Sequence, residues 1–252
     1  MAAEPGAVPS ADGWSDAYLR ARAREGRLLP DDVVARLPDT PPGHPLAWEW
    51  RQRGDSADRL CAYIGAQPRS LRVIDGGCGN GWLANRIATI ERAFVTGVDR
   101  NGVELDQARR VFGGWPNLDF VAGDLLDGVP GRAPADLIVL ASVIQYLPDL
   151  AGAVETLLVE MAPDGELHIL DSPLYGPDAV TAARQQTRSY YADVGVPEMA
   201  EQYHHHVWDE LAAFRFDVLY RPDGWRRNVE RRLLRRPRSP VPGIRLRAGA
   251  DR

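Results

Sequence analysis

The segment Val73–Trp82, VIDGGCGNGW, constrains this chain more than any other. Gly77, Gly79 and Gly81 stand two apart, directly after a short apolar run and directly before a helical pattern. Glycine adopts positive φ at no steric cost and has no Cβ, so a ligand can lie against bare backbone there. The helix that follows aims its free N–H groups at the same place. In an open α/β sheet, ligands gather outside the carboxyl ends of the strands. The loop does not match a nicotinamide or flavin site, because G-x-G-x-x-G counted from Gly77 puts Trp82 where the third glycine belongs. A mononucleotide P-loop needs a lysine, and all 30 basic residues are arginine. Asp75, just before the loop, would repel a pyrophosphate and suits a cationic ligand.

The surrounding pattern predicts the sheet that such a loop requires. Leu71 begins a buried strand, and further strands are expected at Ala93–Asp99, Leu118–Asp124, Asp136–Ser142, Glu166–Ser172, Phe214–Tyr220 and Ile244–Ala248. Helical spacing appears at Asn80–Ile90, from Asn101 to Phe112, from Leu150 to Met161 and from Ala179 to Val194. Asn101 with Glu104 forms a variant capping box, Asp149 caps the next helix, and Pro163-Asp164-Gly165 reads as a turn. Strands alternating with helices imply a Rossmann-like, doubly wound, mostly parallel seven-stranded α/β sheet. Helices are also expected at Ser15–Arg24, Pro30–Leu37 and Leu46–Ile64, the last broken off from the others by LPDTPPGHP. This divides the chain into an N-terminal helical lid, residues 1–66, and a ligand-binding domain, residues 67–252.

Composition narrows the setting. The 252 residues are 44% apolar and 26% charged, which suits a globular chain and neither a disordered tail nor a fibre. No apolar run approaches the ~20 residues of a membrane helix, and the first residues carry no secretory pattern. Two cysteines without a CxxC pair give neither a disulfide framework nor a zinc site, so a reducing cytoplasm is expected. The net charge of −5 hides a split: from Arg221 to Arg252 the balance is +8, and the rest carries −13. An acidic body disfavours nucleic acid as a partner. The basic tail, with a helical stretch at Trp225–Arg236, reads as a solvated face or a docking segment.

Taken together, these residues resemble the class I S-adenosylmethionine-dependent methyltransferases. Asp75-Gly76-Gly77-Cys78-Gly79-Asn80-Gly81 matches that family's first motif, an acidic residue followed by G-x-G-x-G. The resemblance implies that Asp99, 18 residues after Gly81 and followed by Arg100, binds the ribose hydroxyls. It implies that Gly123-Asp124-Leu125 holds the adenine, Asp124 taking the amino group. ADLIVLASVIQYLPDL and MAPDGELHILD resemble the family's fourth- and fifth-strand segments, so the likeness covers roughly Leu71–Ser172. Ser142, where the fourth strand ends, joins the cofactor set. The cofactor implied is S-adenosylmethionine.

Acceptor residues should lie beyond strands four and five or in the added segments. Gln145 and Tyr146 follow strand four, where many small-molecule members carry a histidine. The signature [DN]-P-P-[YFW] of nucleic-acid amino methyltransferases is replaced by Ala141-Ser142-Val143-Ile144. Asp171 either steers a cationic acceptor or caps strand five, and it is not followed by the asparagine of catechol-type metal sites. Tyr175 lines the pocket or packs at the surface. His204-His205-His206 holds three of the five histidines. Adjacent residues cannot readily share one metal ion, so no metal is expected, and His204 or His205 is a candidate general base beside a structural reading of the triplet. In the lid, Trp48, Trp50 and Arg53 recur along one helix, with Arg53 able to pair with the methionyl carboxylate and Trp14 and Tyr18 as added walls. The expected function is methyl transfer to a small-molecule acceptor, with oxygen favoured and secondary metabolism as a setting. The alternatives are a non-methyl reaction such as cyclisation on the same site, and a non-catalytic binding module.

Overall fold

The structure is a computed structural model that describes residues 13–128, 134–222 and 238–248. Seven strands form one sheet in the order β3-β2-β1-β4-β5-β7-β6. They are β1 (Leu71–Gly76), β2 (Ala93–Asp99), β3 (Leu118–Ala122), β4 (Ala135–Ala141), β5 (Met161–Leu170), β6 (Phe216–Tyr220) and β7 (Gly243–Arg247). The first five run parallel, and β7 lies antiparallel between β5 and β6. β1 and β4 are buried on both faces and read as continuous apolar runs, as strands covered by helices on either side must. β6, at the edge, alternates half-buried and exposed residues up to the buried Tyr220.

The helices are α1 (Gly13–Arg24), α2 (Asp31–Val34), α3 (Ala47–Gly65), α4 (Trp82–Ala88), α5 (Gly102–Phe112), α6 (Leu150–Val159) and α7 (Pro177–Val194). Asn101 accepts the Val103 and Glu104 N–H groups and Asp149 that of Gly152, so both expected caps form. Two expectations are corrected. Pro163-Asp164-Gly165 lies inside β5: the register passes from Ala135↔Met161 to Leu137↔Glu166, so the four intervening β5 residues bulge out against Asp136 alone. Met161 is thereby drawn from the end of α6 into the strand. α4 begins at Trp82 and not at Asn80, because Gly81 takes φ 78 as its N-cap. The basic stretch Trp225–Arg236 lies outside the described residues.

Three apolar clusters hold these elements. One joins α3, α4 and α5 to one side of the sheet through Leu60, Ile87, Leu105 and Phe120. A second packs α6 and Leu211 onto the other side through Ile138, Leu157 and Leu246. The third is separate: Ala17, Tyr18 and Ala21 of α1 pack on Tyr191, Val196 and Met199. Arg24 ties the same elements together by donating to the Val194 and Gly195 carbonyls that end α7, at 2.9 and 2.7 Å. α1 and α7 therefore form one cap above the carboxyl ends of β4 and β5. Among the described residues no helix is long and apolar enough to cross a membrane.

Candidate functional site

The strand order reverses at β1, which pairs with β2 on one side and β4 on the other. A cleft opens there, above the carboxyl ends of the strands, as this topology dictates. The loop after β1 is fastened to the end of β2. Gly77 and Cys78 donate their N–H groups to Val98 O at 2.8 and 3.1 Å. Asp99 Oδ2 accepts the Gly79 N–H and Oδ1 the Asn101 N–H, each at 2.7 Å. Gly77, Gly79 and Gly81 all have positive φ.

The glycines do different work. A Cβ on Gly79 would meet nothing nearer than the Glu104 carboxylate at 3.6 Å, so this backbone faces open cleft. A Cβ on Gly77 would strike Val143 at 2.6 Å, and one on Gly81 would strike Ala108 and Phe120 at 2.8 Å. Gly76 is crowded by Leu125 and, like Gly81, is not on the cleft wall. The expectation that every glycine bares backbone to a ligand is thus corrected: Gly76 and Gly81 let elements pack.

Asp75, Cys78, Asn80, Asp99, Arg100, Gly123, Asp124, Leu125, Ser142 and Arg53 all reach the cleft wall. Asp75 is 2% exposed, and its Oδ2 is buried with no hydrogen-bond partner. Burial, reinforced by the Asp99 charge, pushes its carboxyl up to about 7. Burial and then Glu104 push Asp99 up to about 6 against the pull of its backbone N–H partners. Two buried carboxyls at one wall favour a cation. Asp124 spends Oδ1 on the Leu126 N–H at 3.0 Å and keeps Oδ2 3.5 Å from Arg100.

A second cavity shares Arg22, Arg27, Arg53, Ser142 and Tyr146 with the cleft and runs on beneath α7. Its wall includes Gln145, Asp171, Tyr175, Tyr190, Tyr191 and Tyr203. Ser142 and Asp171 end adjacent strands with φ 60 and 50, a left-handed strain that non-glycine residues rarely carry outside functional sites. Ser142 Oγ donates to Asp171 O at 3.1 Å. Asp171 Oδ1 accepts from Ser56 and Ser239, and burial raises its carboxyl against the influence of those partners and of Arg53. Gln145 acts as a strut: its side-chain Nε2 donates to Ser142 O at 2.6 Å and its backbone carbonyl accepts the His204 N–H at 2.7 Å.

Besides Gly76 and Gly81, three expected residues are not brought to either wall. Trp48 is 47% exposed and lies beside Arg51. His204 turns its ring toward His206, at 6.4 Å. His205 sits one layer back, between the Tyr175 and Tyr203 rings, with Nε2 2.8 Å from Thr187 Oγ1. Burial lowers the affinity of both rings for a proton. His206 is structural: its ring nitrogens lie 2.9 Å from Glu210 Oε2 and 2.9 Å from Ile144 O. His206→Ala is expected to lower stability by about 2–4 kcal/mol, read from a denaturant midpoint, because it strands a buried carbonyl beside a cavity. A shift below about 0.5 kcal/mol would show the triplet to be surface structure.

Sequence reasoning missed Arg22, Arg27, Glu104, Tyr190, Tyr191 and Tyr203, which line these spaces. Their signals were faint: Tyr18 and Arg22 share one face of α1 at i, i+4, and Tyr190-Tyr191 sits among polar residues on a long helix.

Comparison with known proteins gives this geometry its family. Residues 68–217 match the family described as methyltransferase domain. Over 98 residues the chain is 37% identical to the trans-aconitate 2-methyltransferase of Azoarcus sp. (strain BH72), covering 38% of this chain and 37% of that one. Over 122 residues it is 38% identical to the Methylobacterium radiotolerans enzyme of the same name, covering 47% and 44%. The matched stretch spans less than half the length of these curated relatives. Among solved structures, the plantazolicin methyltransferase BpumL in complex with SAH superposes with a TM-score of 0.56 at 13% identity, over 94% of this chain and 96% of that one. YcgJ from Bacillus subtilis gives 0.55 at 13% identity, over 78% and 99%. The family match across most of the sheet and its glycine loop, on a fold of the same kind, places the chain in the class I S-adenosylmethionine-dependent methyltransferase family.

Proposed function

We propose that the protein transfers a methyl group from S-adenosylmethionine to an oxygen of a small-molecule acceptor held in the second cavity. The observation that carries this reading is the pair of spaces joined through Ser142, Tyr146 and Arg53, one walled by the family's cofactor motif and the other by the cap. The trans-aconitate 2-methyltransferase relatives support a small-molecule acceptor. Of the expected lid, α1 together with α7 serves that role, while α3 packs into the core against the sheet.

The cleft fits the cofactor: the orphaned Asp75 Oδ2 offers a buried acceptor, and the open face of Gly79 leaves room against the backbone. When bound, S-adenosylmethionine supplies a methyl group activated by a sulfonium charge. Asp99 accepts from the ribose hydroxyls, and Asp124 Oδ2 with the Gly123-Leu125 backbone receives the adenine. Arg53 pairs with the methionyl carboxylate, and Asp75 answers the positive charge at the same end. Tyr18 and Tyr146, edge to face at 5.7 Å, exclude water over the junction. Alignment of acceptor and methyl is the main task left to the protein.

The carboxyl environments set a pH dependence. Asp75 and Asp99, raised to about 7 and about 6, lose their charge as pH falls, and with it their attraction for a cation. Affinity for S-adenosylmethionine is expected to be full above about pH 7.5 and roughly 10-fold weaker at about pH 5.5. Stability without cofactor moves the other way. A raised carboxyl favours the folded state while protonated, and that contribution is lost as pH rises through the folded pKa. Calorimetric titrations at the two pH values check this, and equal affinities would contradict it.

The reaction itself is tested with methyl-labelled S-adenosylmethionine and a panel of small alcohols, phenols, amines and carboxylic acids. Label in a product with equimolar S-adenosylhomocysteine is expected. Cofactor bound but left intact, with an acceptor isomerised at unchanged mass, would contradict the methyl-transfer reading.

A further inference from the structure

Arg22 stands where the two spaces meet. Arg27 donates from both Nη atoms to Glu49 at 2.7 Å and lies 3.0 Å through Nε from Glu25. Arg53 donates to the same Glu49 from Nε at 3.0 Å. Glu25 also accepts from the Tyr190 hydroxyl at 2.8 Å. Arg22 lies 3.7 Å from Glu25, beyond hydrogen-bond distance, and shares a side-chain hydrogen bond with Tyr18 that leaves further guanidinium N–H groups for a ligand. Its guanidinium lies 4.8 Å over the Tyr18 ring, which fixes its direction, and its side chain is only 17% exposed. A guanidinium held in this way, at the mouth of a half-buried space and short of a carboxylate, is a prepared anion site.

The walls beyond it point to the shape of the anion. Tyr18, Tyr146, Tyr203 and Tyr191 follow one another edge to face or tilted, with centroids 5.7, 6.1 and 6.2 Å apart, and present flat apolar surface beside the charge. Neither His204 nor His205 is on the wall to remove a proton from a neutral acceptor, and burial raises the Tyr175 hydroxyl above its ordinary value.

We propose that the acceptor is a planar carboxylic acid bound as its carboxylate, and that Arg22 is the residue that selects it. The inference rests on the methyl-transfer reading above and adds the acceptor class to it. A carboxylate needs no base. One oxygen takes the Arg22 hydrogen bond, and the other takes the methyl. The new bond is O–C, the bond broken is C–S with its electron pair left on sulfur, and no proton is released. The product is a methyl ester.

The test uses full-length protein saturated with S-adenosylhomocysteine, titrated with trans-aconitate, cinnamate and benzoate and with their uncharged amides. At least one acid is expected to bind, and its amide is not. Arg22→Met should weaken acid binding by about 10- to 100-fold, the loss of one charged hydrogen bond, with the dissociation constant of S-adenosylhomocysteine unmoved as proof of fold. Arg22→Lys should recover part of it. In the labelled assay, the transferred methyl should be released as methanol by mild base. Binding of acids and amides alike, binding of no acid, or label only in ethers or N-methyl products would overturn the proposal. So would an Arg22→Met variant that loses S-adenosylhomocysteine by the same factor, since Arg22 would then hold the methionyl carboxylate. Failure of S-adenosylhomocysteine to bind the parent protein is a separate result, and it would sink the methyl-transfer reading first.

Discussion

Asp99→Ala is expected to weaken S-adenosylhomocysteine binding by about 3 kcal/mol, roughly 100-fold in the dissociation constant. Two losses combine. Asp99 is the proposed acceptor for the ribose hydroxyls, and a hydrogen bond to a charged group is worth more than a neutral one. The same carboxylate holds the Gly79 and Asn101 N–H groups at 2.7 Å, so its removal strands two donors at the floor of the cleft and frees the loop of the proposed cofactor site. Asp99→Asn separates these losses. It keeps one carbonyl oxygen for the loop and removes the charge, so its affinity should fall between parent and alanine. Calorimetry reads both variants, and an Asp99→Ala protein that binds as the parent does would remove the ribose assignment.

Gly81→Val should lower unfolding stability by about 3–5 kcal/mol, through two independent causes. The residue has φ 78, which a β-branched side chain tolerates poorly. Its Cβ would also stand 2.8 Å from Ala108 and from the Phe120 ring, both fixed in a close-packed cluster. Gly102→Ala is the contrast: no atom lies within 4 Å of its Cβ position, and it occupies the first turn of α5. That change should be neutral or gain a few tenths of a kcal/mol through the unfolded chain. Denaturant midpoints decide. Equal losses at the two glycines would mean that the loop is less tightly packed than described.

The cofactor side of the site was legible because its signals are local. A strand, a glycine loop and a helix lie within one short stretch of chain, and Asp99 and Asp124 follow strands whose apolar runs are plain. Even there, sequence could not tell an open glycine from a packed one, because Gly79 and Gly81 differ only in what other segments put beside them. The second cavity was hardly legible. Its wall is assembled from α1, the turns after β4 and β5, α7 and the segment near Tyr203. No periodicity links them. The histidine triplet drew attention by composition, yet its fate was set by backbone hydrogen bonds: His204 N–H to Gln145 O and Tyr175 N–H to His206 O hold the segment extended. Extended backbone sends His204 and His206 to one side and His205 to the other. The bulge in β5 was hidden for a related reason. Pro163-Asp164-Gly165 carries turn chemistry, and only the β4 partner turns it into a break within a strand.

The central claim is that buried carboxyls and an open glycine backbone above β1 hold an adenosyl sulfonium compound. Isothermal titration of the parent protein with S-adenosylhomocysteine, S-adenosylmethionine and NADH tests it directly. The account predicts saturable one-to-one binding of the first two and none of the third. No heat with either adenosyl compound, or tighter binding of the dinucleotide, would contradict it.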